Sequence, residues 1–167
     1  MKVPEGVSIE VAGDVLRVKA SGGALEKKFN SRLLDVKVEN GELVVKPRRK
    51  ETRALRAAAH SVEAHARNMA AGLTKGFEKR LEVVFAHFPI SIEVKGKDVA
   101  IKNFLGEKLS RKARVCGDAS VSVAGNIVTV KGKDKEDVGQ TANNIVRATK
   151  IKARDVRVFQ DGVYYSE

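Results

Sequence analysis

The sequence has no tryptophan, one cysteine, three prolines, two tyrosines and six phenylalanines. A lone Cys116 excludes an internal disulfide framework and suits a reducing compartment, so a cytoplasmic protein is expected. No apolar run approaches the roughly 20 residues of a spanning helix. The start "MKVPEGVSIEV" also lacks the apolar core of a signal peptide, so export and a membrane partner are not expected. Scarce aromatics argue against a platform that stacks single-stranded bases. Phe159 is expected in the core, with Tyr164 and Tyr165 near the final strand.

Chemical site patterns are missing as well. There is no G-x-x-x-x-G-K-S/T loop and no G-x-G-x-x-G turn after a strand. His60 and His65 do not share a helix face, His87 stands alone, and no histidine neighbours Cys116 in sequence. Carboxylates occur singly among lysines, with no set of nucleophile, base and orienter. The expectation is a protein that is not an enzyme, needs no cofactor and has no small-molecule substrate.

What the sequence does have is cationic charge: 32 Lys and Arg face 21 Asp and Glu, a net charge of +11. Such a field favours polyanions, nucleic acid first among them. It also has internal repetition. "SIEVAGDVLRVK" from Ser8 aligns without a gap on "SIEVKGKDVAIK" from Ser91, at an offset of 83 residues. "VKVENGELVVK" from Val36 resembles "VSVAGNIVTVK" from Val121, each with a Gly/Asn turn between alternating apolar runs, which is a hairpin signature.

A helical stripe follows each hairpin: Leu55, Ala58, Val62, Ala66, Met69 and Leu73, then Val138, Ala142, Ile145 and Thr149. Gly72 is expected to close the first helix, and Asp134 to cap the second. Strand candidates come next, "GFEKRLEVVFA" from Gly76 and "ARDVRVFQ" from Ala153. The fold class is therefore α+β: two tandem copies of a small antiparallel-sheet unit, each with one packed α-helix. The boundary falls near Arg80, giving units 1–80 and 81–167.

Basic residues gather in three places. Lys46, Arg48, Arg49, Lys50, Arg53 and Arg56 cluster where the first hairpin meets its helix, as a solvated helix start or an RNA contact. "KNFLGEKLSRKAR" carries Lys102, Lys108, Arg111, Lys112 and Arg114, with Phe104 and Leu105 as an apolar pair suited to docking. Lys131, Lys133, Lys135, Arg147, Lys150, Lys152, Arg154 and Arg157 surround the second helix. Gln140, Asn143 and Asn144 on that helix offer amides to ribose hydroxyls and base edges in a shallow RNA minor groove. Many cations with few aromatics fit folded, double-helical RNA; DNA stays open on this argument.

"GLTKGFEKRLEVVFAHFPISIEV" from Gly72, "NFLGEK" from Asn103 and "RVFQDGVYYSE" from Arg157 resemble the archaeal and eukaryotic branch of the large-subunit ribosomal protein L-six family. The resemblance covers essentially the whole chain, and its ending favours an archaeal source. It implies a structural ribosomal component that binds large-subunit rRNA mainly through the second unit, near the sarcin-ricin loop and the translation-factor landing site. Neighbouring ribosomal proteins, and translation factors, are the other implied partners. By position, the implied RNA-facing residues are the loop Asn103 to Lys108, the helix start at Lys133, Lys135, Gly139 and Gln140, and the segment Arg147 to Arg154.

Overall fold

A computed structural model describes residues 4, 6–39 and 41–166. The chain divides into two compact units, Met1–Gly76 and Phe77–Glu167. The sequence-derived boundary near Arg80 lies inside strand β6 (Phe77–Val84), every residue of which pairs with later strands of the second unit.

In the first unit β1 (Ser8–Ala12), β2 (Val15–Ala20) and β3 (Gly23–Lys28) form one antiparallel sheet, and β4 (Leu34–Glu39) pairs with β5 (Glu42–Pro47). Asn40, half of the turn expected between β4 and β5, lies outside the described residues. Period-two alternation turns Ile9, Leu16, Val18, Leu34, Val36 and Leu43 toward helix α1 (Arg53–Thr74). That helix answers with Ala59, Val62, Ala66, Met69 and Leu73. Thr52 caps it by accepting the Leu55 N–H at 3.3 Å. Gly72, expected to end the helix, is instead buried within it; the helix runs on to Thr74 and the chain departs through Gly76 at φ +72°.

The second unit repeats the plan. β7 (Ser91–Lys95), β8 (Asp98–Lys102) and β9 (Arg111–Arg114) make a three-stranded sheet. β10 (Ser120–Ala124), β11 (Ile127–Gly132), β6 and β12 (Gly162–Tyr165) make a four-stranded sheet in that order. Helix α2 (Lys135–Ala148) covers both, burying Val138, Thr141, Ala142 and Ile145. Asp134 caps it, accepting the Glu136 N–H at 2.8 Å, while Glu136 and Asp137 sit where the helix dipole favours anions.

The repeat in sequence is a repeat in register. Ser8 pairs with Lys19 and Ser91 with Lys102, and in both hairpins the lysine reaches diagonally to a glutamate, Lys19 to Glu10 and Lys102 to Glu93. The copies diverge at two points. Ser21 and Gly22 alone join β2 to β3, whereas residues 103–110 join β8 to β9. After α2, residues 153–160 are not the expected strand. Asp155 gathers them into a turn, its carbonyl accepting the N–H of Val158 (3.2 Å) and Phe159 (2.9 Å), so the alternating Val156 and Val158 stay exposed. The last strand begins later, at Gly162.

The loop after β9 lies against α2. Cys116 N–H donates to the buried Thr141 hydroxyl at 2.9 Å, and Gly117, at φ +54°, faces Asp137, whose carboxylate a Cβ there would displace. Gly117→Ala is expected to destabilise the protein by about 2 kcal/mol, backbone strain adding to the displacement of the Asp137 carboxylate. Gly125→Ala, equally left-handed but with open space around it, is expected to cost only about 1 kcal/mol. Urea unfolding of both variants measures the difference, and equal losses would discard the overlap argument.

Candidate nucleic-acid interface

With about 3.6 residues per turn, the buried stripe of α2 fixes what its other side presents. Gln140, Asn143 and Arg147 face away from Val138, Ala142 and Ile145, and Lys133 and Lys135 stand at the helix start. Not all of the expected amides are at liberty. Asn144 donates to Arg114 O at 2.9 Å and to Cys116 Sγ at 3.5 Å, and Gln140 donates to Asn144 Oδ1 at 2.9 Å. Asn144 therefore fastens α2 to the end of β9, leaving Asn143 and the remaining polar atoms of Gln140 to face outward.

The loop 103–110 has a tightly constrained backbone. Asn103, Leu105 and Gly106 have φ of 58°, 52° and 77°. Two non-glycine residues in that region store backbone strain, of order 1–3 kcal/mol each, which surrounding contacts must offset. Phe104 is the main anchor at 1% exposure, and Asn103 Nδ2 donates to Pro89 O at 3.1 Å. The sequence pattern puts Phe104 at the RNA-facing surface; it belongs instead to the core, packed with Val99, Ile101 and Ala113. The apolar side chain that this loop does expose is Leu109, at 85%.

Arg111 also has an inward task. Its Nε and Nη2 donate to the two oxygens of Glu107 at 2.8 and 2.5 Å, and its Nη1 donates to Ala148 O at 2.8 Å and Lys150 O at 3.3 Å. Its guanidinium carbon lies 4.3 Å from the centre of the Phe104 ring. The Glu107 carboxyl is held below its usual range, first by the hydrogen bonds from Arg111, with burial opposing and the charges of Arg111 and Arg154 adding.

The remaining expected cations fall into three groups. Lys102 is engaged by Glu93, and Lys131 by Glu78 at 3.1 Å. Strand alternation also puts Lys131 on the sheet face opposite α2, beside the Arg80–Glu78 pair, and Lys112 on the outer face of its own sheet, away from Arg111. Lys108, Lys112, Arg147, Lys150 and Lys152 are exposed and have no acid partner among the described residues. Lys133 is exposed, Lys135 lies over the Phe77 ring at 5.9 Å, and Arg154 over Phe159 at 4.8 Å. His87 also meets Phe159, at a centroid distance of 4.9 Å. That ring is thus engaged rather than offered as a stacking platform. In the first unit Arg48 pairs with Asp35 and Arg56 with Glu51, while Lys46, Arg49, Lys50 and Arg53 are exposed.

One functional-looking group gives no local signal in the sequence. Asp161 is 1% exposed and accepts the N–H of Ala86 at 3.1 Å and of His87 at 3.2 Å. His87 Nδ1 lies 3.0 Å from Asp161 Oδ1; an ionised carboxylate has only acceptors, so that ring nitrogen carries the hydrogen. Burial pushes the Asp161 carboxyl up, yet the bonds from His87 and the two backbone N–H groups together hold it below its usual value. The pair clamps the connector after β6 to the start of β12. Its partners are 74 residues apart, beyond any spacing rule. Among the described residues no cluster of His, Cys, Asp and Glu could hold a metal, and no helix is long and apolar enough to cross a membrane.

Two sheet-and-helix units, the second carrying exposed cations around a helix and a braced loop, define a basic α+β protein with a cationic side. Residues 88–162 match the family described as Ribosomal protein L6. Over 166 residues the chain is 43% identical to large ribosomal subunit protein uL6 of Methanosarcina mazei, covering 98% of this chain and 93% of that protein. It is 40% identical over 165 residues to the protein of the same name from Methanocella arvoryzae, covering 98% and 93%. Against that of Methanococcus vannielii it is 41% identical over 170 residues, covering 100% and 91%. The chain belongs to the ribosomal protein L6 family, in its archaeal form, a family of ribosomal structural proteins rather than enzymes.

Asp161→Asn is expected to destabilise the protein by about 1–3 kcal/mol at neutral pH, because an amide sets a donor against the N–H groups the carboxylate accepts. A carboxyl lowered in the folded state contributes fully above its unfolded value, about 3.9, and loses that contribution as pH falls through the folded one. The gap between wild type and variant in urea unfolding should accordingly narrow only below about pH 4. A gap that stays constant down to the acid limit would refute the assignment.

Proposed function

We propose that this protein is a structural constituent of the large ribosomal subunit that binds and stabilises folded large-subunit rRNA, chiefly through its second unit. Lys108, Lys112, Arg147, Lys150 and Lys152 supply phosphate contacts, and Asn143 and Gln140 reach the 2′-hydroxyls of a shallow minor groove. The observation that carries this reading is the near full-length likeness to proteins named as large-subunit components, together with the exposed cations around α2 and its neighbouring loop. Within the particle it sits near the sarcin-ricin loop and the translation-factor binding region, with neighbouring ribosomal proteins as further partners and translation factors within reach. Its place is then the cytoplasm, in the ribosome.

Reversing Lys108, Lys150 and Lys152 together to glutamate and titrating a large-subunit rRNA fragment across a salt series tests the reading. Removing one phosphate-binding cation should reduce the slope of log K against log salt by roughly 0.7–0.9, so a fall of about 2 or more is expected for the triple variant. Arg49→Glu with Lys50→Glu in the first unit should change it much less. An unaltered affinity and slope for the triple variant would remove the second unit from the interface.

A further inference from the structure

Resting on that proposed RNA-binding role, we infer that Arg111 is a positioning residue rather than an RNA contact, and that with Glu107 it braces the loop 103–110 against the end of α2. In the sequence Arg111 looks like one more cation in a basic run. In the structure four of its five guanidinium N–H groups are engaged within the chain: all three nitrogens donate, two to Glu107 and one to the carbonyls of Ala148 and Lys150. Its side chain is 25% exposed, against 41% for Glu107. One face lies over Phe104, the buried anchor of the same loop.

Those partners join three stretches of chain. Glu107 closes the loop after Phe104, its N–H donating to Phe104 O at 3.0 Å. Ala148 ends α2, and Lys150 opens the segment that carries Lys150, Lys152 and Arg154. A planar fork can hold a carboxylate bidentately and a carbonyl pair at once; an ammonium cannot, so lysine is no substitute here. The loop also contains left-handed Asn103 and Leu105, and such strained backbone persists only when its surroundings over-determine it. The first copy has no equivalent, since two residues turn β2 into β3. The brace therefore belongs to what distinguishes the RNA-binding copy.

A positioning role and a phosphate contact predict opposite signs for one variant. Glu107→Ala removes an acid from a basic surface and releases the charge of Arg111. If field strength governed binding, rRNA affinity would rise; without the brace, it is expected to fall about tenfold. Arg111→Lys keeps the charge and breaks the fork, and is expected to lose affinity to a similar degree while the salt slope stays that of wild type. The amide hydrogens of residues 103–108 should exchange faster in both variants, in the absence of RNA. Measurements are made on the full chain, below the unfolding transition of each variant, so that global stability does not enter.

Tighter binding by Glu107→Ala, or wild-type affinity for Arg111→Lys with a lowered slope in Arg111→Met, would overturn the inference. Unchanged exchange in the loop would overturn it as well, independently of RNA. If wild-type protein shows no salt-dependent affinity for the fragment, the proposed function fails instead, and the exchange experiment still decides whether the brace exists.

Discussion

Everything distinctive about the second unit depends on one packing event, the burial of Val138, Thr141, Ala142 and Ile145 of α2 against two sheets. The stripe is apolar apart from Thr141, whose hydroxyl is used on the Cys116 N–H, so no polar group is stranded in the contact. Once that side of the helix is committed, helical geometry leaves Asn143 and Arg147 no direction but outward. The same commitment gives β9 something to dock on, through Asn144, and gives Arg111 two carbonyls to hold. A cationic surface assembled from exposed lysines alone would be a diffuse field; anchored to this helix it acquires a fixed geometry.

Duplication supplied the scaffold, and departures from it supplied the surface. The matching hairpins share register and even a diagonal Glu–Lys pair, and such exposed pairs add little to stability. Lys102 is in this sense a repeat feature, the counterpart of Lys19, and does not set the second copy apart. What does are the long β8–β9 connection and the irregular segment between α2 and β12, both of which have no counterpart in the first unit. Each is irregular backbone held by a buried or half-buried polar anchor, Arg111 in one case and Asp161 in the other. Irregular segments with such anchors can be rigid in the way that sheets are, and rigidity is what lets a basic surface favour one RNA shape over another.

Much of this is legible in the chain alone. Hairpins, register and helix stripes can be read because the periods of two and near four are local properties of the sequence, and the two copies corroborate each other. The elements that sequence reasoning misreads are those decided by partners distant in the chain. Val156 and Val158 alternate as a strand would, but Asp155 bends them into a turn. Phe104 and Leu109 are both apolar residues in one basic loop, and one is 1% exposed while the other is 85% exposed. Arg111 and Lys112 are adjacent cations of opposite fate, because a four-residue strand sends alternate side chains to opposite faces. Asp161 falls within the family-like ending, but nothing in the sequence points to its role, since that lies in His87.

The contrast between Arg111 and its neighbours bears on how basic proteins of this kind achieve selectivity. Attraction between lysines and phosphates is long-ranged and tolerant of sequence, so it supplies affinity and little discrimination. Discrimination requires that the cations be held at spacings that one RNA surface matches. An arginine whose donors are taken by the chain's own acceptors adds little to the first effect and serves the second by holding its neighbours in place. Sorting basic residues by whether their donors are engaged by the chain's own acceptors is thus more informative than counting them, and in this unit the sorting separates Lys102, Arg111 and Lys131 from Lys108, Lys112, Arg147, Lys150 and Lys152.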